Sequence, residues 1–492
     1  MTTEYDLYID GQFRREPGQE RFPAVNPFSR EAWASIPQAS DAQVADAIRA
    51  ARTAFDKTWS RTPGLERARL LNRLADLLEG QADRMAALES TDNGKVIRET
   101  SGQMRFAARQ YRFYAGYADK LWGRYLPLDQ REVFDISQRV PVGVAVLITA
   151  WNSPMGLLAN KLGPALAAGN CVVVKPSEHA SGTTLEFAKL VHEAGFPPGV
   201  VNVVTGDARV GRALLAGGRV DRVSFTGSPG VGREIAAAAG RLLVPVTLEL
   251  GGKSPNIIFA DADLDKAVVG ALAGIFGATG QTCIAGSRLL VQREVCEQVT
   301  QALVARARAI RMGDPLDPAT EMGTAANEPQ FNRILASIGN AVKEGATLAT
   351  GGKPASGPGL GKGFFIEPTI FTGVSNGMSI AQEEVFGPVL SIIAFDTEEE
   401  AIAIANDTRY GLASGVWTTN VSRALRVAQS IQSGTVWVNT YRAVAVQAPF
   451  GGMKDSGFGR ERGEVALDEF TTTRNVMIDF SDQARDPFSI KL

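Results

Sequence analysis

Cysteine is scarce: Cys171, Cys283 and Cys296 are the only three in 492 residues. So sparse and odd a set cannot form a disulfide framework and fits a reducing compartment. Histidine is scarcer still, with His179 and His192 alone. A His-rich metal centre or a Ser-His-Asp triad has almost nothing to draw on, and no metal is expected. Long apolar runs are missing too. The longest, Val140 to Trp151, falls well short of the roughly 20 residues that a membrane helix needs. The first ten residues hold no basic stretch followed by an apolar one, so no signal peptide is expected. The formal net charge is −2, without the basic excess of a nucleic-acid binder. These absences predict a cytoplasmic protein that engages neither membrane nor nucleic acid.

What remains is globular: hydrophobic residues are 45% of the chain and charged residues 21%, far from a disordered composition. Glycine, 51 of 492 residues, exceeds its usual share of about 7%. Without a triplet repeat that excess implies tight turns and close backbone approaches. The first 120 residues read mainly as helix. Ser40 and Asp41 cap one helix carrying Val44, Ile48 and Phe55, and Leu70, Leu71, Leu74, Leu77 and Leu78 mark another that stops at Gly80.

Strands then alternate with helices. Residues 143–149, 171–174, 201–205, 222–225, 246–250 and 256–259 are nearly all apolar, as in parallel strands covered on both faces. Ala-rich helices at 157–168 and 185–194 separate the earlier ones. The second half repeats the pattern, with strands at 288–291, 389–395, 415–418 and 435–438 and helices at 303–310 and 331–344. Residues 351–363, dense in Gly and Pro, form a loop. Residues 131–138 alternate without a core face, the pattern of a projecting strand. The fold class predicted is α/β, with two doubly wound α/β domains and a small β element.

Several residues carry chemistry. Cys283 lies in Gly280-Gln281-Thr282-Cys283-Ile284-Ala285-Gly286. Small neighbours leave its sulfur open to a ligand, so it is either a packing thiol or a nucleophile. Glu249 ends an apolar strand just before Gly251-Gly252. There it either caps a turn or presents a carboxyl at the ligand-binding edge of the sheet, where burial suits it to general-base work. Asn152, in Trp151-Asn152-Ser153-Pro154, is either a turn residue or an oxyanion donor. Gly227, Ser228, Gly230 and Gly232 lie between a strand and a helix. That is an ordinary turn, or a phosphate site at a helix N-terminus. Lys175 and Glu178 end another strand as ribose ligands or as solvated charges.

Together and in this order, the motifs resemble those of the NAD(P)-dependent aldehyde dehydrogenases over essentially the whole chain. They are Ala150-Trp151-Asn152-Ser153-Pro154, Lys175-Pro176-Ser177-Glu178, Phe225-Thr226-Gly227-Ser228, Leu248-Glu249-Leu250-Gly251-Gly252-Lys253, Gly280-Gln281-Thr282-Cys283, Glu383-Glu384-Val385-Phe386-Gly387-Pro388 and Pro449-Phe450-Gly451-Gly452-Met453-Lys454. The resemblance implies that Cys283 is the nucleophile, Glu249 the general base and Asn152 an oxyanion donor. It implies that Lys175 and Glu178 hold the adenosine ribose, Ser228 and Gly227 the pyrophosphate, and Glu384 the nicotinamide ribose. Trp151 and Phe386 would pack beside the cofactor, and Gln330 would lie near its adenosine side.

By the same resemblance residues 1–122 and 143–251 form the NAD-binding domain and 252–455 the catalytic domain. Residues 123–142 and 456–492 form the oligomerisation element of a homodimer or homotetramer. Met155, Leu157, Asn160, Val444 and Phe450 would line the aldehyde tunnel. Succinic-semialdehyde relatives often carry Arg where Asn160 stands, which points away from that substrate and toward a medium or bulky aromatic or aliphatic aldehyde. Arg442 reads as a structural residue or as a cation at the tunnel mouth. CoA-acylating relatives generally lack the glutamate, so Glu249 favours hydrolysis over CoA transfer. The intact set of Asn152, Glu249 and Cys283 disfavours a non-catalytic protein on the same fold.

A carboxylate at Glu178 accepts from a ribose 2′-hydroxyl and repels a 2′-phosphate, so NAD is preferred although NADP is possible. Steady-state kcat/KM for the two cofactors checks this: the expected ratio exceeds one, and an NADP advantage overturns it.

Overall fold

The computed structural model describes residues 2–216, 219–482 and 488. One sheet has eight strands in the order Gly457–Phe458, Val246–Glu249, Arg222–Thr226, Val144–Thr149, Cys171–Pro176, Val201–Val203, Leu7–Ile9 and Gln12–Arg14. The middle five are mutually parallel. Val144–Thr149 and Cys171–Pro176 are buried at every residue, which explains why their sequences do not alternate. The chain moves from Val144–Thr149 outward through Cys171–Pro176 to Val201–Val203. It then returns to place Arg222–Thr226 on the other side of Val144–Thr149. The strand order therefore reverses between these two neighbours, and their carboxyl ends frame a crevice, the place where open α/β sheets bind ligands.

Helices cover this sheet because their caps and apolar faces agree. Asp41–Lys57 begins with a capping box between Ser40 and Gln43. Pro154–Ala168 starts on Pro154 and ends at Gly169, whose φ of 95° is left-handed. This second helix is almost wholly buried, yet it carries Asn160 and Lys161 inward.

The second sheet runs Thr347–Thr350, Thr369–Thr372, Val389–Phe395, Arg288–Gln292, Pro255–Ile258, Ala413–Trp417 and Thr435–Val438. All neighbours are parallel except the first pair. A third sheet pairs Thr471–Asp479 with Val133–Pro141 along their full lengths, with Arg124–Leu126 on the far side. The strand expected at 131–138 thus runs from Val133 to Pro141.

Three expectations need correction. Residues 2–40 are not helical: they hold Thr3–Glu4, Leu7–Ile9, Gln12–Arg14, Arg21–Val25 and Ala32–Pro37. These strands are too short for a period to show, and their pairing is set by distant partners such as Val203 and Tyr8. The helix expected at 303–310 starts at Arg293, because its first turns are charged and largely exposed. Thr347–Thr350 and Thr369–Thr372 were not anticipated as strands. In addition, Gly457–Phe458 joins the first sheet beside Val246–Glu249, so the C-terminal segment serves two sheets.

Arg288, fully buried at the start of its strand, stitches the second unit together. It donates to the carbonyls of Lys253 (3.0 Å), Ile404 (2.8 Å) and Ala405 (2.8 Å) and to Asn376 Oδ1 (3.0 Å). Burial pushes its pKa down to about 10. Arg288→Leu leaves these acceptors unpaired and is expected to cost about 3 kcal/mol or more of stability. Chemical denaturation reads this; an unchanged midpoint contradicts it.

Candidate active site

The crevice at the strand reversal is a cleft of about 680 Å³. Lys175, Glu178 and Trp151 line it, with Phe225, Gly227, Ser228 and Arg333. Ser228 lines the cleft and caps the helix Pro229–Arg241, accepting from Val231 N; Pro229 has no N–H, so the Gly230 N–H is the free donor of that first turn. Lys175 is buried, bonded to its neighbour's carbonyl at 3.1 Å and 3.9 Å from Glu178. Burial lowers its pKa and Glu178 opposes that shift. The dimensions and donors fit a dinucleotide: cationic and carboxylate groups at one end, a helix N-terminus in the middle, aromatic rings at the other.

At that other end Trp151 meets Phe386 edge to face, with ring centroids 5.3 Å apart. Phe386 has φ of 57°, a left-handed conformation unfavourable for an aromatic residue. Gln330 holds it there. Its amide donates to the carbonyls of Val385 (3.0 Å) and Phe386 (2.8 Å). The sequence reading set Gln330 beside the adenosine; its amide is committed to this turn instead, and Arg333, one helical turn on, lines the cleft.

Glu384 accepts from Gly252 N at 2.9 Å, and burial raises its pKa to about 7. Gly251 and Gly252 explain how three segments converge. A Cβ on Gly251 would lie 2.4 Å from Glu384 Oε2, and one on Gly252 would lie 2.2 Å from the Cys283 carbonyl. Only glycine permits both approaches.

Cys283 follows a backbone that stays left-handed through Ala278 (φ 53°), Thr279 (φ 55°) and Gly280 (φ 69°). Two non-glycine residues in that region store strain beside the thiol. Burial first, then the negative charges of Glu384 and Glu249, push the thiol pKa up to about 12. Asn152 is buried and donates from Nδ2 to the Gln281 carbonyl at 3.0 Å, two residues before the thiol. That amide carries a second hydrogen for another acceptor. Lys95, buried, bonds the Asn152 carbonyl and, at 2.7 Å, Ser153 Oγ.

Glu249 sits at the end of its strand, 3% exposed, and neither carboxyl oxygen has a hydrogen-bond partner. Burial, then Glu461, raise its pKa well above the usual carboxylate range, while Lys161, Arg460 and Arg462 oppose them. Behind it Lys161 pairs with Glu461 and donates to Ser224 Oγ at 3.0 Å.

The residues expected to line an aldehyde tunnel fall into two groups. Phe450 and Cys283 pack against one apolar cluster; Met155 is buried and Leu157 half-buried on the helix after Asn152. Asn160 is not a wall of an open tunnel. It is 1% exposed, donates to Glu461 (3.0 Å) and accepts from Gln110 and Arg462. Its amide has too many buried partners to face a substrate. Val444 stands exposed. Arg442 donates to the Ala273 carbonyl at 3.2 Å, closing a helix end. The sequence reading missed Lys95, Gln281, Lys161, Glu461 and Arg462. The polar pair Asn160-Lys161 inside an apolar helix was the visible signal for two partners of that network. No cluster of three or more metal-ligating side chains occurs among the described residues.

A dinucleotide-sized cleft at the carboxyl edge of a parallel sheet, reaching Trp151 beside Asn152, is the arrangement of a nucleotide-dependent oxidoreductase. Residues 13–476 match the sequence pattern of the aldehyde dehydrogenase family, and this chain belongs to it. It is an NAD(P)-dependent oxidoreductase acting on aldehydes. The chain is 48% identical over 99% of its length, and 100% of the other, to an Acinetobacter baylyi protein named (Z)-2-((N-methylformamido)methylene)-5-hydroxybutyrolactone dehydrogenase. It is 44% identical to human mitochondrial aldehyde dehydrogenase over 96% of this chain and 91% of that one. Among solved structures, betaine aldehyde dehydrogenase of Staphylococcus aureus with NAD+ superposes with a TM-score of 0.96. It shares 38% identity and covers 99% of this chain and 96% of that one. The NAD+ complex of a Bacillus cereus aldehyde dehydrogenase gives 0.95 at 41% identity, covering 97% of each.

The raised thiol pKa predicts that alkylation of Cys283 by a neutral reagent, without cofactor, accelerates about tenfold per pH unit through the neutral and mildly alkaline range. Peptide mass mapping against pH reads the rate. A plateau below about pH 8 shows a thiolate already formed and overturns it.

Proposed function

We propose that this chain oxidises a medium-sized aldehyde to the free carboxylic acid through Cys283, with Glu249 as the base. The observation that carries this is the buried, unpartnered Glu249 carboxyl electrostatically coupled to the Cys283 thiol. A base with a raised pKa takes a proton near neutrality without being locked in an ion pair.

The thiol is protonated at rest, so attack requires that its proton leave. Glu249 is the nearby acceptor. As sulfur bonds the aldehyde carbon, charge develops on oxygen. The free Nδ2 hydrogen of Asn152 and the backbone N–H of Cys283 receive it, an effect worth about 3 kcal/mol per donor. Lys175, Glu178, Gly227, Ser228, Trp151, Glu384 and Phe386 would hold NAD, which when bound would supply the hydride acceptor for oxidation of the adduct to a thioester. Once that first proton has passed from Glu249 to solvent, the carboxylate takes a proton from water; the resulting hydroxide attacks the thioester carbon, the carbon–sulfur bond breaks, and the acid leaves with Cys283 freed as the thiolate. Lys161 and Glu461 sit behind Glu249 as charges that keep its proton exchangeable. Met155, Leu157 and Phe450 offer apolar contact to the aldehyde's carbon chain. The related dehydrogenase named for a 5-hydroxybutyrolactone supports a functionalised substrate rather than a plain alkyl one.

We also infer a homodimer or homotetramer in the cytoplasm. Tyr125, Phe134, Met477 and Ile478 are exposed apolar residues on the third sheet, a surface that a second copy would cover. The free cysteines fit a reducing compartment. No helix of the described residues is long and apolar enough to cross a membrane.

NADH production over an aldehyde panel tests the chemistry, with light scattering giving the assembly mass. Cys283→Ala is expected to abolish turnover. Glu249→Gln is expected to slow it at least about 100-fold and to accumulate acyl-enzyme, detectable by intact mass. Turnover surviving in Cys283→Ala, or normal turnover in Glu249→Gln, contradicts the assignment.

A further inference from the structure

Arg462 is a cation within electrostatic reach of Cys283 that neither the motifs nor the mechanism above uses. Its guanidinium lies over two aromatic faces, Phe450 at 4.9 Å and Phe106 at 5.5 Å from the ring centroids. All three side chains are partly open. Phe450 packs on the same apolar cluster as Cys283. The backbone at Arg462 is left-handed, φ 59°, a strained choice for a long side chain. Nε donates to Asn160 Oδ1 at 3.1 Å. Among the described residues no carboxylate forms an ion pair with it: neighbouring Glu461 is engaged by Lys161 and Asn160. The two Nη groups therefore keep their donors free. The guanidinium is close enough to Cys283 and Glu249 to act on both electrostatically.

We propose that Arg462 is a specificity-determining residue of this site: it selects aldehydes carrying a carboxylate a few bonds from the formyl carbon. The inference rests on the aldehyde-oxidising reading above. Stacking between Phe106 and Phe450 fixes the plane of the guanidinium, and the bond to Asn160 fixes its rotation. A planar, oriented fork suits a carboxylate better than a mobile ammonium does. The absence of Arg at position 160 therefore does not remove a cation from the site, because Asn160 holds one supplied by Arg462.

Succinic semialdehyde and butanal have the same carbon count and differ in charge, so their kcat/KM ratio reads this preference. Wild type is expected to favour the semialdehyde. Arg462→Gln, which can keep a hydrogen bond to Asn160, is expected to lose about tenfold or more on the semialdehyde, chiefly through KM. Its butanal value is expected to fall only by what the lost charge costs Cys283 and Glu249, a loss the semialdehyde shares, so the ratio still drops; Arg462→Lys should recover part of it. Equal losses on both substrates, or an unchanged ratio, overturn the proposal. A second readout needs no turnover: the rate of Cys283 alkylation by iodoacetate relative to neutral iodoacetamide. That ratio is expected to fall in Arg462→Gln, and an unchanged ratio overturns the proposal. Failure of wild type to oxidise any aldehyde would instead strike the functional reading.

Discussion

A carboxyl buried without a hydrogen-bond partner is among the most expensive arrangements a fold can hold. Glu249 holds it at the end of a parallel strand. Much of the surrounding structure answers to this one group. Burial raises its pKa, so the neutral form relieves most of the cost. Lys161 offsets the rest but is itself shared with Glu461 and Ser224. An ion pair made directly to Glu249 would stabilise the site and remove its basicity. The network instead stays one residue away, leaving the carboxyl able to change its protonation state.

The same strand end ties the cleft to the thiol. Gly227, which lines the cleft, donates its N–H to the Glu249 carbonyl at 3.1 Å. Two residues on, Gly251 and Gly252 admit Glu384 and the Cys283 backbone from the second unit. The cleft-lining turn, Glu249 and the glycine pair are therefore tied together along one strand end. Side chains on either face would force these segments apart.

Much of this was legible in the sequence. Continuous apolar strands at 143–149 and 171–174 announced a parallel sheet, and glycine pairs marked the close approaches. The register of long-range pairs was not legible. Leu7–Ile9 finds Val201–Val203 across the whole first unit, and Gly457–Phe458 finds Val246–Glu249 from the far end of the chain. Neither segment is long enough to declare its partner. For the site, the motifs single out Glu249 at a strand end, Asn152 and the cleft residues just after strands, and Cys283 just after a helix and its final turn. Gln330 and Asn160 were misplaced for a physical reason. Each has an amide that satisfies buried backbone or side-chain groups, and spacing alone does not tell an amide facing a ligand from one holding a turn.

Arg462 shows the limit from the other side. Its neighbours in sequence, Arg460 and Glu461, are charged too, and such a run ordinarily reads as a solvated surface. In the fold the three diverge. Arg460 bonds the Gly452 carbonyl at 2.9 Å, Glu461 turns inward to Lys161, and Arg462 stacks on Phe450. The positive φ at Arg462, followed by Gly463 at 61°, accomplishes this divergence by reversing the direction in which successive side chains point. A charged run becomes a buried network, a structural clamp and a free cation because of that local backbone, and the cation's freedom depends on Glu461 being occupied elsewhere. The polarity of the acyl side of this site is therefore set by the C-terminal segment as much as by the helix that carries Asn160.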